Sequence, residues 1–227
     1  MPLFPSERIK LSVILTVFTV GVLIAWQIQK PKPYLPVLNP ADLNPALVAD
    51  SLEREGRGFR VGAFELVDQT GTRRTESDVE GQVRVVSYFF TTCQGICIDM
   101  ARSFRRIQEV YLDDDRVRLM AHTALPKMDS VPVLAAYGEN NDVDPERWFL
   151  LTGDPAHLNE LARTQYFTVM EEGQSWDEHS FIHTENLVLI DQHGRLRGYF
   201  DGTSDEETDK LIEAIGWLLN ELNEDAS

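Results

Sequence analysis

The stretch FFTTCQGICIDM, residues 89–100, contains the only two cysteines of the chain, Cys93 and Cys97. It overlaps the apolar run VRVVSYFF, residues 83–90, which predicts a buried strand. Apolar residues at helical spacing come next and predict a helix over residues 98–112. Two thiols at a strand-to-helix junction can form a structural disulfide, act as a redox dithiol, or supply two soft ligands to a metal ion.

Strand and helix patterns alternate along the rest of the chain. Strands are predicted at residues 60–67, 83–90, 117–122 and 147–151, and helices at residues 98–112, 130–137 and 155–164. A hairpin with strands 186–190 and 196–200 and a final helix, from a capping box at Ser204 and Glu207 to about Leu222, complete the pattern. This order, with a cysteine pair after an early strand, predicts an α/β, thioredoxin-like sandwich with a mixed sheet.

The N-terminal segment is strongly apolar. Residues 11–28, LSVILTVFTVGVLIAWQI, carry no charge over 18 positions. As a helix this segment would be about 27 Å long, enough to cross a bilayer core. A cleaved signal peptide is the alternative, but its apolar core is normally shorter, and AWQIQKPKP is a poor cleavage site. We therefore predict a tail and an uncleaved transmembrane helix over residues 1–30. Two basic residues lie on each side and do not orient it.

A proline-rich segment follows the predicted anchor. Five of the eleven prolines fall between residues 31 and 45, which predicts extended chain rather than helix. We predict a linker over residues 31–57 and a globular domain over residues 58–227. Residues 33–227 carry 17 basic and 36 acidic residues, a net charge of −19. So acidic a domain is not expected to bind nucleic acid or anionic lipid headgroups.

The cysteine spacing narrows the chemistry. Thiols at a helix N-terminus ionise more readily, because the helix dipole and the free N–H groups favour thiolate. Residues four apart lie on one helix face with Cβ atoms about 5–6 Å apart, which suits two sulfurs on one ion. Thioredoxin-type oxidoreductases have two residues between their cysteines and a cis-proline opposite them, whereas this chain has three residues there and no proline after Pro155. A disulfide closing so short a loop would stabilise the fold little.

A histidine can supply a third ligand. Two thiolates and one imidazole form a soft to borderline set that suits copper, with zinc next, although structural zinc sites usually take four protein ligands. Of the five histidines, His157 on a polar helix face and His193 in the hairpin turn are predicted to be solvated. His122, His179 and His183 stay open as the ligand, with His183 nearest the expected cysteine site.

The segment YFFTTCQGICIDM, the later HTENLVLIDQHGRLRGYFDGT and the N-terminal apolar segment with its linker resemble the SCO/SenC family of copper-binding assembly proteins for cytochrome c oxidase. The resemblance spans residues 45–222. It implies a thioredoxin-like domain that binds copper, as Cu(I) or Cu(II), through both cysteines of a CxxxC motif and one distant histidine. In the family that histidine lies eleven residues before the glycine of the hairpin turn. Counting back from Gly194, the implied ligands are Cys93, Cys97 and His183.

The resemblance also implies a location, a partner and an activity. The location is a single-pass membrane protein whose domain faces the periplasm or the mitochondrial intermembrane space. The implied partner is subunit II of cytochrome c oxidase, whose dinuclear copper centre would receive copper or have its thiols reduced; other copper carriers are further possible partners. On this interpretation the protein is a metallochaperone rather than an enzyme. The alternative is a membrane-tethered thiol-disulfide reductase or peroxidase that uses Cys93 and Cys97 as a redox-active disulfide.

Three positions depart from the family pattern. The family usually has proline after each cysteine, where this chain has Gln94 and Ile98. It also often has Asp-Pro after the third core strand, where this chain has Leu125 before the proline. All three implied ligands are kept, so we expect these changes to alter affinity and redox potential more than metal binding itself.

Overall fold

The computed structural model describes residues 5–28, 34–44, 48, 58–168 and 185–225. The chain divides into two compact units, Met1–Tyr34 and Leu35–Ser227. The first unit contains one helix, α1 (Pro5–Ile28). Seven of its large apolar side chains are exposed: Val13, Ile14, Leu15, Val17, Phe18, Val20 and Val22.

Among the described residues, no helix combines the length and the apolar character needed to cross a bilayer. The transmembrane helix predicted for residues 1–30 is therefore not confirmed and stays a prediction.

The second unit contains seven strands and four α-helices among its described residues. In chain order they are β1 (Glu65–Val67), β2 (Arg73–Thr75), β3 (Val83–Phe89), α2 (Ile96–Val110), β4 (Val117–Thr123), α3 (Val131–Asn140), β5 (Trp148–Leu151), α4 (Pro155–Glu160), β6 (Asn186–Ile190), β7 (Leu196–Asp201) and α5 (Asp205–Asp225). A π-helical turn, Leu161–Gln165, continues α4.

Five of these strands form a mixed sheet in the order β5-β4-β3-β6-β7, and β1 pairs with β2 separately. The central strand β3 runs parallel to β4 and antiparallel to β6. On the outside, β5 is parallel to β4, and β7 is antiparallel to β6 through a hairpin. The predicted α/β arrangement around a mixed sheet is confirmed.

The sheet is buried on both faces. Side chains alternate between the two faces along each strand, and each face packs in its own core cluster. On one face Val85 of β3 belongs to a core cluster with Phe104 of α2 and with Leu211 and Ile215 of α5. On the other face Val86 belongs to a second cluster with residues of α4 and of the strand β1. A strand buried on both sides reads as the near-continuous apolar run seen in the sequence.

Local signals in the sequence account for the helix starts. Asp154 caps α4 by accepting a hydrogen bond from the His157 N–H (2.9 Å), with Pro155 in the first turn as predicted. Before α5, the Ser204 hydroxyl accepts from the Glu207 N–H (3.3 Å). The Glu207 carboxylate pairs with Lys210, so only this half of the predicted capping box is found.

Part of the predicted linker belongs to the second unit. Leu38 forms a β-bridge with Leu196 of β7, and the Leu35 carbonyl accepts a hydrogen bond from Arg197 (2.7 Å). Arg197 is 2% exposed and also binds the carboxylates of Asp191 and Glu221. The leucines of this proline-rich stretch supply apolar surface that proline content alone did not reveal, and the compact unit begins at Leu35.

The opposite edge of the sheet is covered by the segment around β1. Val67 forms a β-bridge with Thr152, next to β5. The Gln69 side chain donates to the Trp148 carbonyl (2.8 Å) and accepts from the Leu150 N–H (2.8 Å). Its amide therefore takes the place that a neighbouring strand would occupy.

Burial makes His122 of β4 a source of acid sensitivity. Its ring is fully buried and packs against Tyr88 and Tyr166, with centroid distances of 5.1 and 5.3 Å. Burial lowers the pKa of His122 from 6.5 to about 3. Because the unfolded chain binds the extra proton between these two values, the fold should lose about 1.4 kcal/mol per pH unit as pH falls through that window.

We expect His122→Phe to remove this contribution while keeping an aromatic ring at the site. Urea unfolding measured between pH 7 and 4 should show a smaller loss of stability on acidification than in the wild type. His193→Asn, at the exposed hairpin turn, is the control and should keep the wild-type dependence. An unchanged slope in His122→Phe would contradict the assignment.

Candidate metal centre

The two cysteines lie where β3 passes into α2. The structure starts α2 at Ile96, two residues earlier than predicted, so Cys97 is in the first helical turn. Cys93 lies in the preceding loop, where its N–H donates to the Phe90 carbonyl (3.2 Å). The sequence predicts both sulfurs on one helix face. This is wrong for Cys93, which lies outside α2, and a loop turn sets its position instead.

Both cysteines are free thiols, and their side chains are hydrogen-bonded to each other. Burial opposes ionisation of Cys93, but hydrogen bonds from the Cys97 thiol and from the N–H groups of Gly95 and Cys97 outweigh it and lower its pKa. Burial and the bond to Cys93 raise the pKa of Cys97 to about 12. The pair therefore loses its first proton from Cys93 and keeps the second on Cys97.

Two residues that the sequence analysis did not single out lie near this pair. Tyr137 of α3 packs its ring on Phe89 (5.1 Å between centroids). Burial, followed by negative charge on the cysteines and on Asp129, raises the pKa of Tyr137 to about 12, so its hydroxyl stays protonated. Asp129 accepts a hydrogen bond from Thr91 in the loop between β3 and α2, residues 90–95, called the cysteine loop below. Neither residue carries a motif, and only the pairing of β3 with β4 brings their segments to the site.

The structure separates His122 from the cysteines. Cys97 packs in the core cluster on the α2 face of the sheet, together with Ala121. His122, the next residue of β4, points to the opposite face, where it stacks on Tyr88. Its possible role as a direct ligand is therefore excluded by strand alternation.

The remaining histidines are divided between described and undescribed segments. His157 accepts a hydrogen bond from the Glu65 N–H (3.3 Å), and His193 lies at the exposed hairpin turn. His179 and His183 fall outside the described residues, so the choice of His183 as a ligand stays a prediction. Within the described segments, no group of three or more His, Cys, Asp or Glu side chains is arranged to hold a metal ion.

Comparison with known proteins gives the family. The sequence profile of the SCO1/SenC family matches residues 53–220. The chain belongs to the SCO1/SenC family. Among its relatives, the SCO1 protein homolog of Bacillus subtilis is 21% identical over 159 residues, which are 69% of this chain and 81% of that protein. The human mitochondrial SCO1 homolog is 28% identical over 164 residues, 67% of this chain and 52% of that protein.

Solved structures share the fold. A SCO1/SenC family lipoprotein from Bacillus anthracis matches with a TM-score of 0.63 at 22% identity, covering 73% of this chain and 98% of that one. ScoI of Bradyrhizobium japonicum, solved with copper bound, matches with a TM-score of 0.53 at 22% identity, covering 69% and 99%. At these identities the likeness establishes the thioredoxin-like α/β fold of the SCO1/SenC family for this chain.

The different environments of the two thiols predict different reactivities. With limiting iodoacetamide at neutral pH, the reduced protein should be alkylated first at Cys93, because the thiolate is the nucleophile. Cys97→Ala removes a hydrogen-bond donor and should shift the pH profile of Cys93 alkylation upward. Peptide mass spectrometry after a pH series measures both effects.

The Cys93→Ala variant is the matched control for this experiment. Its remaining thiol, Cys97, is only 4% exposed and should react at least about tenfold more slowly than Cys93 does in the wild type. Equal labelling rates at the two positions would contradict the assigned asymmetry.

Proposed function

We propose that this SCO1/SenC family member binds one copper ion through the thiolates of Cys93 and Cys97 and the imidazole of His183. The observation that carries the proposal is the pair of free thiols at the junction of β3 and α2, in which hydrogen bonds from Cys97 and from backbone N–H groups lower the pKa of Cys93. Soft thiolates favour Cu(I), and an added imidazole extends the preference to Cu(II). Copper is the cargo of the protein. Of the proposed ligands, the described residues supply the two sulfurs, those of Cys93 and Cys97.

The chain's own groups suggest how the cargo is taken up. Cys93 is half-buried and anionic first, so it offers the accessible sulfur to an arriving ion. Cys97 keeps its proton until the positive charge of the ion replaces it, since burial without a cation disfavours its thiolate. Tyr137 stays neutral beside the pair and adds no competing charge.

Two observations support His183 as the third ligand. It stands eleven residues before Gly194, the spacing found in the family. In addition, β6 is antiparallel to β3, with Val86 opposite Val188, so β6 begins at the end of the sheet where β3 leads into the cysteine loop. His183 precedes the first residue of β6, Asn186, by three positions.

The proposed biological role is assembly of the dinuclear copper centre of cytochrome c oxidase, with subunit II as the partner. The family membership supports this role, and the ScoI and yeast Sco1 structures show that such domains have been obtained with copper bound. Ile98, the residue after Cys97, is 51% exposed and gives the protein surface an apolar side chain there. We assign it to the surface that meets the protein receiving copper.

Copper titration tests the ligand set. The reduced full-length protein should bind one Cu(I) under anaerobic conditions, as measured by competition with bicinchoninate. Cys93→Ala and Cys97→Ala should each abolish tight binding, because one sulfur remains. His183→Ala should keep much of the Cu(I) affinity but strongly weaken Cu(II), seen as loss of the thiolate-to-copper charge-transfer band.

Two histidine variants serve as controls for this titration. His179→Ala and His193→Ala should give wild-type Cu(II) spectra. If His179→Ala loses the band and His183→Ala keeps it, the third ligand has been assigned to the wrong histidine. A reduced wild-type protein that takes up no stoichiometric copper would refute the proposed function.

We also propose that residues 1–30 anchor the protein in a membrane, with the domain on the periplasmic or intermembrane-space side. The uncharged run of residues 11–28 and the exposed apolar side chains of α1 support the anchor. A C-terminal reporter active only outside the cytoplasm should be active in a bacterial host, and the fusion should sediment with membranes. A mature form that begins after Gln29 would show a cleaved signal peptide instead.

The second candidate function is thiol-disulfide reduction, favoured by the asymmetry between the two cysteines. An accessible thiolate at Cys93 can attack a partner disulfide, and the thiol of Cys97 can then resolve the mixed disulfide. We expect slow turnover of insulin as a general substrate, because the cysteine spacing is one residue longer than in thioredoxin-type enzymes. Rapid turnover would reverse the order of the two proposals.

A further inference from the structure

A buried carboxylate lies beside the cysteine loop. Asp129, in the loop between β4 and α3, is only 1% exposed. It accepts hydrogen bonds from the N–H of Thr91 (3.3 Å), from the hydroxyl of Thr91 (2.5 Å) and from the hydroxyl of Thr123. Because a buried carboxylate is costly unless its acceptors are satisfied, these three donors hold Asp129 in one place.

The same bonds join two loops at one end of the sheet. Thr123 is the last residue of β4, and its hydroxyl oxygen also accepts from the Leu125 N–H (3.0 Å). The Asp129 N–H in turn donates to the Leu125 carbonyl (2.9 Å). The β4–α3 loop is therefore closed on itself, and Asp129 connects it to Thr91 in the cysteine loop.

This connection acts on one cysteine more than on the other. Cys97 is held by α2, whose residues Met100 and Phe104 are buried in the core. Cys93 is half-buried in the loop, and its N–H bonds there to Phe90. Thr91 lies only two residues before Cys93. Its hydrogen bonds to Asp129 therefore hold the part of the loop that precedes Cys93, which the packing of α2 does not hold.

We propose that Asp129 is a positioning residue: through Thr91 it holds Cys93 at the separation from Cys97 that a single metal ion requires. The inference rests on the proposed copper site. Asp129 is the one acidic residue between Thr123 and α3, because position 125, where the family often has aspartate, is leucine in this chain. It supports a ligand without being one, as the groups behind metal ligands commonly do.

The first test is Cu(I) affinity of the full-length reduced protein, measured with bicinchoninate as competitor. Asp129→Asn replaces one of the two acceptor oxygens by an NH2 group, so at least one of the three donors loses its acceptor. Thr91→Val removes the hydroxyl with little change of shape. Both should lower the affinity by about tenfold to a hundredfold. Thr91→Ser keeps the hydroxyl and should stay within about threefold of the wild type.

The second test needs no metal. In the copper-free reduced protein, hydrogen exchange of the Thr91 amide should be at least about tenfold faster in Asp129→Asn than in the wild type, because its acceptor has lost its charge. This measurement reports on the contact even if the wild type binds no copper, in which case the proposed function fails and the contact can still be judged.

A core variant separates positioning from general stability. Leu134→Ala leaves a cavity under α3, where Leu134 is fully buried, and should lower the melting temperature while leaving Cu(I) affinity within about threefold. Equal affinity loss in Leu134→Ala and Asp129→Asn would overturn the inference. So would wild-type affinity in Thr91→Val, since a loss confined to Asp129→Asn would show an effect of charge rather than of position.

Discussion

Parallel pairing of β3 with β4 runs in register from Val83 opposite Val117 to Phe89 opposite Thr123, so both strands end at the same end of the sheet. The cysteine loop leaves β3 at that end, and the loop with Asp129 leaves β4 beside it. On the other side of β3, antiparallel β6 begins at the same end of the sheet. Ligand sites in open α/β sheets form at such places, where the chain connections diverge from neighbouring strands.

The two cysteines then acquire different properties from their positions on either side of a helix start. Cys97 faces the core from the first turn of α2, so its charge would be poorly solvated. Cys93 stands outside the helix, within reach of the N–H groups of Gly95 and Cys97. A CxxxC spacing thus gives one half-buried sulfur that ionises more readily and one buried sulfur that keeps its proton, and a monovalent cation between them would relieve the burial cost of the second thiolate.

Much of this architecture is readable in the sequence, because the buried strands are short continuous apolar runs and some helices have clear caps. VRVVSYFF predicts β3 to within one residue, and Asp154-Pro155 marks the start of α4. The sequence pattern places the start of α2 two residues too late, because no capping side chain stands there; the N-cap is Gly95. Helix-boundary errors of this size decide whether a cysteine counts as helical, which is why the geometry of the pair required the structure.

Other features of the site depend on tertiary contacts that no local pattern encodes. His122 ends a predicted central strand, which makes it a candidate ligand from the sequence. Only the alternation of β4 side chains between two core clusters excludes it. Asp129 and Thr91 are 38 positions apart, and no sequence pattern in either segment predicts the hydrogen bond between them. The same holds for Leu35 and Leu38, whose packing on β7 is hidden in a stretch that composition describes as extended chain.

The covered borders of the five-stranded sheet bear on how this protein meets others of its kind. A bare outer strand recruits strands from other chains and so leads to aggregation. Here Leu38 occupies a position on β7, while Gln69 and the Val67 bridge occupy positions on β5 and beside it. Because the covering segments come from the same polypeptide, copies of the chain at high concentration have less tendency to polymerise through their backbones.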